Sequence, residues 1–167
     1  MKKIFTLFIT AVMLITIFSS SAISAYAESN NDIIQGRIVS EATEYFEDGS
    51  SATIIVTEES TPLTRASVFT KTGSKYYIAR NKNGVEMWRF TVHGTFSVNS
   101  GVSATCTKTS HTIKISEDVW QNQSATTKKS ANQAIGDATF IKKLLFITTE
   151  TKSCHVVLTC DSNGNLS

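Results

Sequence analysis

The stretch Trp88-Arg89-Phe90-Thr91-Val92-His93-Gly94-Thr95-Phe96-Ser97-Val98-Asn99 decides the fold. Trp88, Phe90, Val92, Phe96 and Val98 hold even positions, and Arg89, Thr91, His93, Thr95, Ser97 and Asn99 hold odd ones. Side chains alternate across a strand, so the pattern is one long strand with an apolar and a polar face. Gly94 falls on the apolar face, where it signals a bulge or a close neighbour. One wet face suits an antiparallel sheet.

Upstream, residues 75–80 read as a partner strand. Asn81-Lys82-Asn83-Gly84 joins the two, and Asn-Gly tolerates the positive φ of a tight hairpin. Downstream, Asn99-Ser100-Gly101 reads as a second turn, and Val102, Ala104 and Cys106 continue the alternation. Further short strands are expected over 111–116, 119–128, 138–148 and 153–161. The run 139–147 is apolar on both faces apart from Lys142 and Lys143, which predicts a central strand. No helical pattern of about 12 residues follows Pro62. The chain is therefore expected to be all-β: seven or so short strands argue for an antiparallel β-sandwich or a squat barrel, of which the sandwich is favoured.

The N-terminal part reads differently. Ile34, Ile38, Ala42, Tyr45 and Phe46 recur at near-helical spacing among acidic residues, which predicts a short amphipathic helix. A β-branched strand over 52–57 follows it. Pro62 marks a boundary near 63–66, giving an acidic segment over 28–65 and a sandwich domain over 66–167. The acidic segment is open to three readings: a pro-segment, a first subdomain, or a donor of one strand to the main sheet.

Residues 1–27 have the pattern of a secretory signal. Lys2 and Lys3 precede an apolar and threonine run over 4–18, and Ala25-Tyr26-Ala27 offers a small-x-small cleavage site. The run is short of the ~20 residues of a membrane span. The expected product is secreted, at the cell envelope or beyond it, with no membrane span after cleavage. The whole chain has 167 residues, 41% apolar and 18% charged, with one proline, which is enough for one buried core and unlike a disordered chain. Its formal charge of +2 equals the contribution of Lys2 and Lys3. The rest is neutral but split: residues 28–61 carry eight acidic groups against Arg37, and residues 62–167 carry 13 basic against six acidic. Such a split suggests internal docking or two surfaces. Nucleic acid is not an expected partner, because no dense basic cluster with interleaved aromatics occurs.

Three cysteines are present: Cys106, Cys154 and Cys160. Six residues of strand would separate Cys154 from Cys160 by roughly 20 Å, beyond the ~7 Å that a disulfide spans. Cys106 and Cys160 both end strands on predicted inward faces, so they are the favoured pair. Buried free thiols are the alternative. The order Cys106, Trp120, Cys160 resembles that of immunoglobulin domains, although Leu158 stands where their tyrosine would be. The sandwich is accordingly expected to be immunoglobulin-like or related.

Few residues point to chemistry. His93, His111 and His155 stand outside any metal-ligand spacing, so no metal or other cofactor is expected. Asp161-Ser162-Asn163-Gly164-Asn165 has its glycine too early for a calcium loop and reads as a turn. No Gly-x-Ser-x-Gly elbow occurs, and no catalytic residue is assigned. Tyr76, Tyr77, Trp88 and Trp120 are candidates for stacking on a sugar ring, with Trp120 and Tyr76 foremost, against a plain reading as core.

A longer pattern runs from Gly84-Val85-Glu86-Met87-Trp88 through Gly94-Thr95-Phe96 and Cys106 to Thr159-Cys160-Asp161-Ser162-Asn163-Gly164-Asn165. It resembles a group of small exported Gram-positive proteins whose shared domain has no assigned activity. The resemblance covers roughly residues 74–167. It implies that Cys106 and Cys160 belong to the common pattern and that Cys154 is an addition. The expected function is non-enzymatic binding at or outside the cell envelope, to a wall polymer, a glycan or an extracellular protein. One alternative is a secreted effector masked by its acidic segment. Another is a small extracellular hydrolase.

Overall fold

Eight antiparallel strands make up the computed structural model, which describes residues 34–59 and 67–167. They are β1 (Arg37–Tyr45), β2 (Ser51–Glu58), β3 (Val68–Arg80), β4 (Glu86–Asn99), β5 (Ser103–Ile115), β6 (Trp120–Ser130), β7 (Gln133–Leu144) and β8 (Ile147–Thr159). One sheet has the order β1-β2-β3-β4-β5 and the other β6-β7-β8. Each strand pairs with its sequence neighbour, so both sheets are meanders. The chain is an all-β sandwich whose connectivity differs from the Greek key of immunoglobulin domains.

The alternation in β4 holds as read. Trp88, Phe90, Val92, Phe96 and Val98 are buried between the sheets, with Phe140, Val156 and Leu158 facing them from β7 and β8. Trp88 stacks on Phe140 with ring centroids 3.8 Å apart and meets Trp120 edge-on at 6.4 Å. Two glycines let the sheets approach. A Cβ on Gly94 would stand 2.7 Å from the Phe96 ring, and one on Gly136 would stand 2.4 Å from Val92 Cγ2. The apolar-face glycine at 94 thus marks a close neighbour.

Both expected turns form. Gly84 and Gly101 have φ of +77° and +73°, and the Asn81 carboxamide oxygen accepts from the N–H groups of Asn83 and Val85. Asp161 does the same for Asn163 and Asn165, so the C-terminal Asp-Asn-Gly string is a turn closed by its own carboxylate.

Four expectations fail. The N-terminal helix is instead strand β1, paired with β2 from Arg37 to Tyr45. It is an edge strand, and eight of its nine residues are exposed, so its apolar spacing records no buried helical face. Glu41, Glu44 and a bulge at Ile38–Ser40 instead suit an unpaired edge. Next, β5 is one strand where two were expected, since its polar residues Lys108, Thr109 and Ser110 keep their pairing with Thr95, Gly94 and His93. The apolar run 139–147 crosses a hairpin at Leu145-Phe146 rather than continuing as one strand, although β7 is central in its sheet. Lastly, Cys106, Cys154 and Cys160 are all free and buried, without the expected Cys106–Cys160 bridge. Each of those two thiols turns to a nearby carbonyl, Cys106 to Lys108 and Cys160 to Asp161.

The acidic segment is part of the sandwich. Six of the eight residues of β2 are buried, and β2 pairs with β3 along its whole length. The sandwich therefore includes residues 37–58, and the boundary expected near 63–66 and the signal over 1–27 lie outside the described residues.

Candidate functional site

The meander brings four turns to one end of the sandwich: 46–50, 81–85, 116–119 and 145–146. They are knitted together by hydrogen bonds. Ser116 donates its N–H to Met87 O at 2.9 Å, Lys143 donates its N–H to Val119 O at 2.8 Å, and the Asn81 side chain donates to Glu117 at 2.7 Å.

A cleft of about 220 Å³ opens at this end, between the edges of the two sheets. Phe46, Ser50 and Ser51 line it from the β1–β2 turn, and Tyr77, Ala79, Met87 and Trp88 from β3 and β4. Lys152 and Ser153 of β8 close the opposite wall. Tyr77 stacks on Trp88 at 5.7 Å, so the cleft floor is the open end of an aromatic ladder that runs through Trp88 to Phe140. Burial pushes the Tyr77 phenol up to about 12, so it stays a neutral donor and acceptor. The Trp88 indole N–H is buried and has no hydrogen-bond partner among the described residues. A buried unpaired donor carries a desolvation cost of about 1–3 kcal/mol.

Lys152 spans the mouth. Its ammonium lies 3.1 Å from Asp48 Oδ2, 3.0 Å from Ser50 Oγ and 3.4 Å from Glu150, and stands 6.0 Å over the Phe46 ring. Hydrogen bonds from the Ser50 side chain and backbone, aided by Lys152, hold the Asp48 carboxyl down at about 2. A more polar basin of about 290 Å³ adjoins the cleft and shares Ser50, Met87 and Lys152 with it. Asn81, Lys82 and Glu117 line its far side. Together the two form one depression with an aromatic end and a polar end.

Of the stacking candidates, Tyr77 and Trp88 line the cleft, whereas Trp120 and Tyr76 lie elsewhere. Trp120 is 1% exposed and belongs to the core between the sheets. Tyr76 is 7% exposed on the opposite face of the five-stranded sheet, in a small cluster with Ile55 and Ile78, where its hydroxyl accepts from the Gln35 N–H at 3.3 Å. The two share no platform. Its neighbour Tyr77 has the inward phase, because it pairs with Phe90. Lys152 and Asp48, 104 residues apart, have no sequence signal that joins them.

Histidine geometry is partial at two places. His93 Nδ1 is 2.8 Å from Ser74 Oγ and its Nε2 is 3.2 Å from Thr112 Oγ1, so both nitrogens meet hydroxyls. Burial lowers the His93 pKa. His155 Nδ1 is 2.6 Å from Asp137 across the outer face of the three-stranded sheet. The first group has a hydroxyl on the imidazole where a triad has a carboxylate. The second has a carboxylate but no hydroxyl on Nε2 among the described residues. Triad chemistry needs both on one imidazole.

No family model, curated protein or solved structure matches this chain. The cleft geometry is therefore the ground for a functional reading. Among the described residues no group of three His, Cys, Asp or Glu side chains is placed to hold a metal ion, and no helix is long and apolar enough to cross a membrane.

Proposed function

We propose that the protein is a non-enzymatic binding module that acts at or outside the cell envelope, and that the loop-end depression binds a glycan. The observation that carries this reading is the pairing of an aromatic floor with a polar rim in one cleft. Phe46 and Tyr77 offer apolar ring faces, as the C–H face of a sugar requires. Ser50, Asp48 and Lys152 offer the donors and acceptors that sugar hydroxyls require. The cleft is smaller than the ~300–1,000 Å³ of drug-sized sites, so it suits a single ring. The adjoining basin extends the same path toward a second ring, which favours a polymer over a free monosaccharide.

Export by the N-terminal signal and a glycan of the wall are consistent with one another. The masked-effector alternative would require removal of β2, whose burial in the five-stranded sheet weighs against it.

Titration calorimetry with soluble wall-derived oligosaccharides tests this function. Phe46→Ala and Lys152→Ala are expected to weaken binding about tenfold each while leaving the fold intact, since both residues lie at the rim. Binding that both variants leave unchanged would remove the cleft from the account.

A further inference from the structure

Of the twelve large hydrophobic residues that are exposed among the described residues, nine lie at the loop end of the sandwich. Four are consecutive: Leu144, Leu145, Phe146 and Ile147, exposed by 65%, 86%, 97% and 70%. They form the tip of the β7–β8 hairpin, with Leu145 and Phe146 as its two-residue loop. Hairpin loops of this length usually carry Gly, Asn or Asp, which are polar or tolerate positive φ. Here Leu145 has φ of +57° and stands almost fully in solvent. Neither local backbone preference nor packing explains an apolar residue at this position.

We infer that this tip is a wedge that enters the headgroup region of an anionic lipid bilayer. Its shape favours this occupant. The tip is convex, and Phe146 is open on all sides, whereas a protein partner would need a pocket built to receive it. Charge agrees with shape. Lys142 and Lys143 sit directly behind the apolar residues. Lys143 has no acidic partner among the described residues. Lys142 reaches Glu150 at 4.0 Å and lies 5.9 Å over the Trp120 ring. Lys143 stands one strand residue, roughly 3.3 Å, behind the Leu144–Ile147 pair that closes the turn. Lysines that flank an inserted apolar tip extend their ammonium groups to lipid phosphates. The paired backbone of Leu144 and Ile147 leaves few amides to desolvate. Val119, whose carbonyl accepts from the Lys143 N–H, adds a neighbouring apolar contact.

The wedge does not depend on a glycan in the cleft. It would set the loop end, and so the cleft mouth, against a membrane surface.

The test uses the full chain. Residues 4–18 are themselves apolar, so the readout must be local to the tip. Phe146→Trp supplies it, because Trp88 and Trp120 are each 1% exposed and serve as a constant background. With vesicles of phosphatidylglycerol and phosphatidylcholine, the added emission is expected to shift to the blue and to be quenched by brominated acyl chains. Adding Lys142→Gln and Lys143→Gln should raise the lipid needed for half the shift by about fivefold per lysine. Val102→Trp, at the opposite end and 72% exposed in the parent residue, should show no shift. Emission at position 146 that vesicles do not move would overturn the inference. So would an equal shift at position 102, or one that appears on concentrating the protein without lipid, which would assign the tip to a second copy.

Discussion

Lys152 Nζ stands 3.1 Å from Asp48 Oδ2 and ties β8 of one sheet to the β1–β2 turn of the other, across the mouth of the cleft. The Asp48 carboxyl is held at about 2, below its ordinary 3.8, by hydrogen bonds from Ser50 and then by Lys152. A depressed carboxyl pKa contributes stability that is present above the ordinary value and is lost as pH falls through the folded one. The tie is thus expected to be intact at neutral pH and to open between about pH 4 and pH 2. Amide shifts of Phe46 and Ser50 should titrate with a midpoint near 2. Asp48→Asn should abolish that titration.

Glycine 136 is required by the approach of the two sheets. A Cβ there would lie 2.4 Å from Val92 Cγ2 and 2.9 Å from Phe90 Cε1. Gly136→Ala is expected to destabilise by about 1–3 kcal/mol, as overpacked cores do. Val92→Ala in the same chain should recover part of the loss. Urea denaturation of the single and double variants measures both, and a neutral Gly136→Ala would mean that the sheets are further apart.

The loop residues Ala131 and Leu145 have φ of +47° and +57°. Positive φ costs a non-glycine residue about 1–2 kcal/mol. Part of that gain is offset by the extra freedom glycine has when unfolded. Leu145→Gly and Ala131→Gly should each raise stability by about 0.5–1 kcal/mol, read as a higher melting temperature. Only Leu145→Gly should also weaken lipid contact at the tip.

The three thiols should be slow to react in the folded protein. Burial pushes Cys154 up to about 12 and Cys160 up to about 11, and raises Cys106 as well. Thiolate is the reactive form. Intact mass after alkylation at neutral pH should show no label on the native chain and three labels after unfolding. One label after unfolding would reveal a bridge.

Much of the sandwich is legible in β4 and its flanking turns, where period-two alternation and Asn-Gly need no tertiary knowledge. Other features depend on contacts that spacing does not encode. The Leu145-Phe146 turn lacks turn residues, so an apolar run concealed a hairpin. The spacing of Ile38, Ala42 and Tyr45 imitates a helix because an exposed edge strand has little need for a strict apolar face. Of the adjacent tyrosines, Tyr77 lines the cleft and Tyr76 faces away from it. Counting back through the Asn-Gly hairpin from Phe90 could have found the right phase, but a bulge at Ala79–Arg80 displaces that count by one. The ionic wall of the cleft, Asp48 with Lys152, arises from the meander as a whole. Sequence reasoning had no local signal for it.

The most direct measurement is a heteronuclear NMR titration of the labelled protein with soluble wall oligosaccharides at neutral pH. The account predicts saturable shifts confined to the loop end, led by Phe46, Ser50, Tyr77, Met87 and Lys152, with the β6–β7 turn at Ala131 and the adjoining Cys106 unmoved. Saturable shifts centred elsewhere, or none at millimolar ligand, would contradict it.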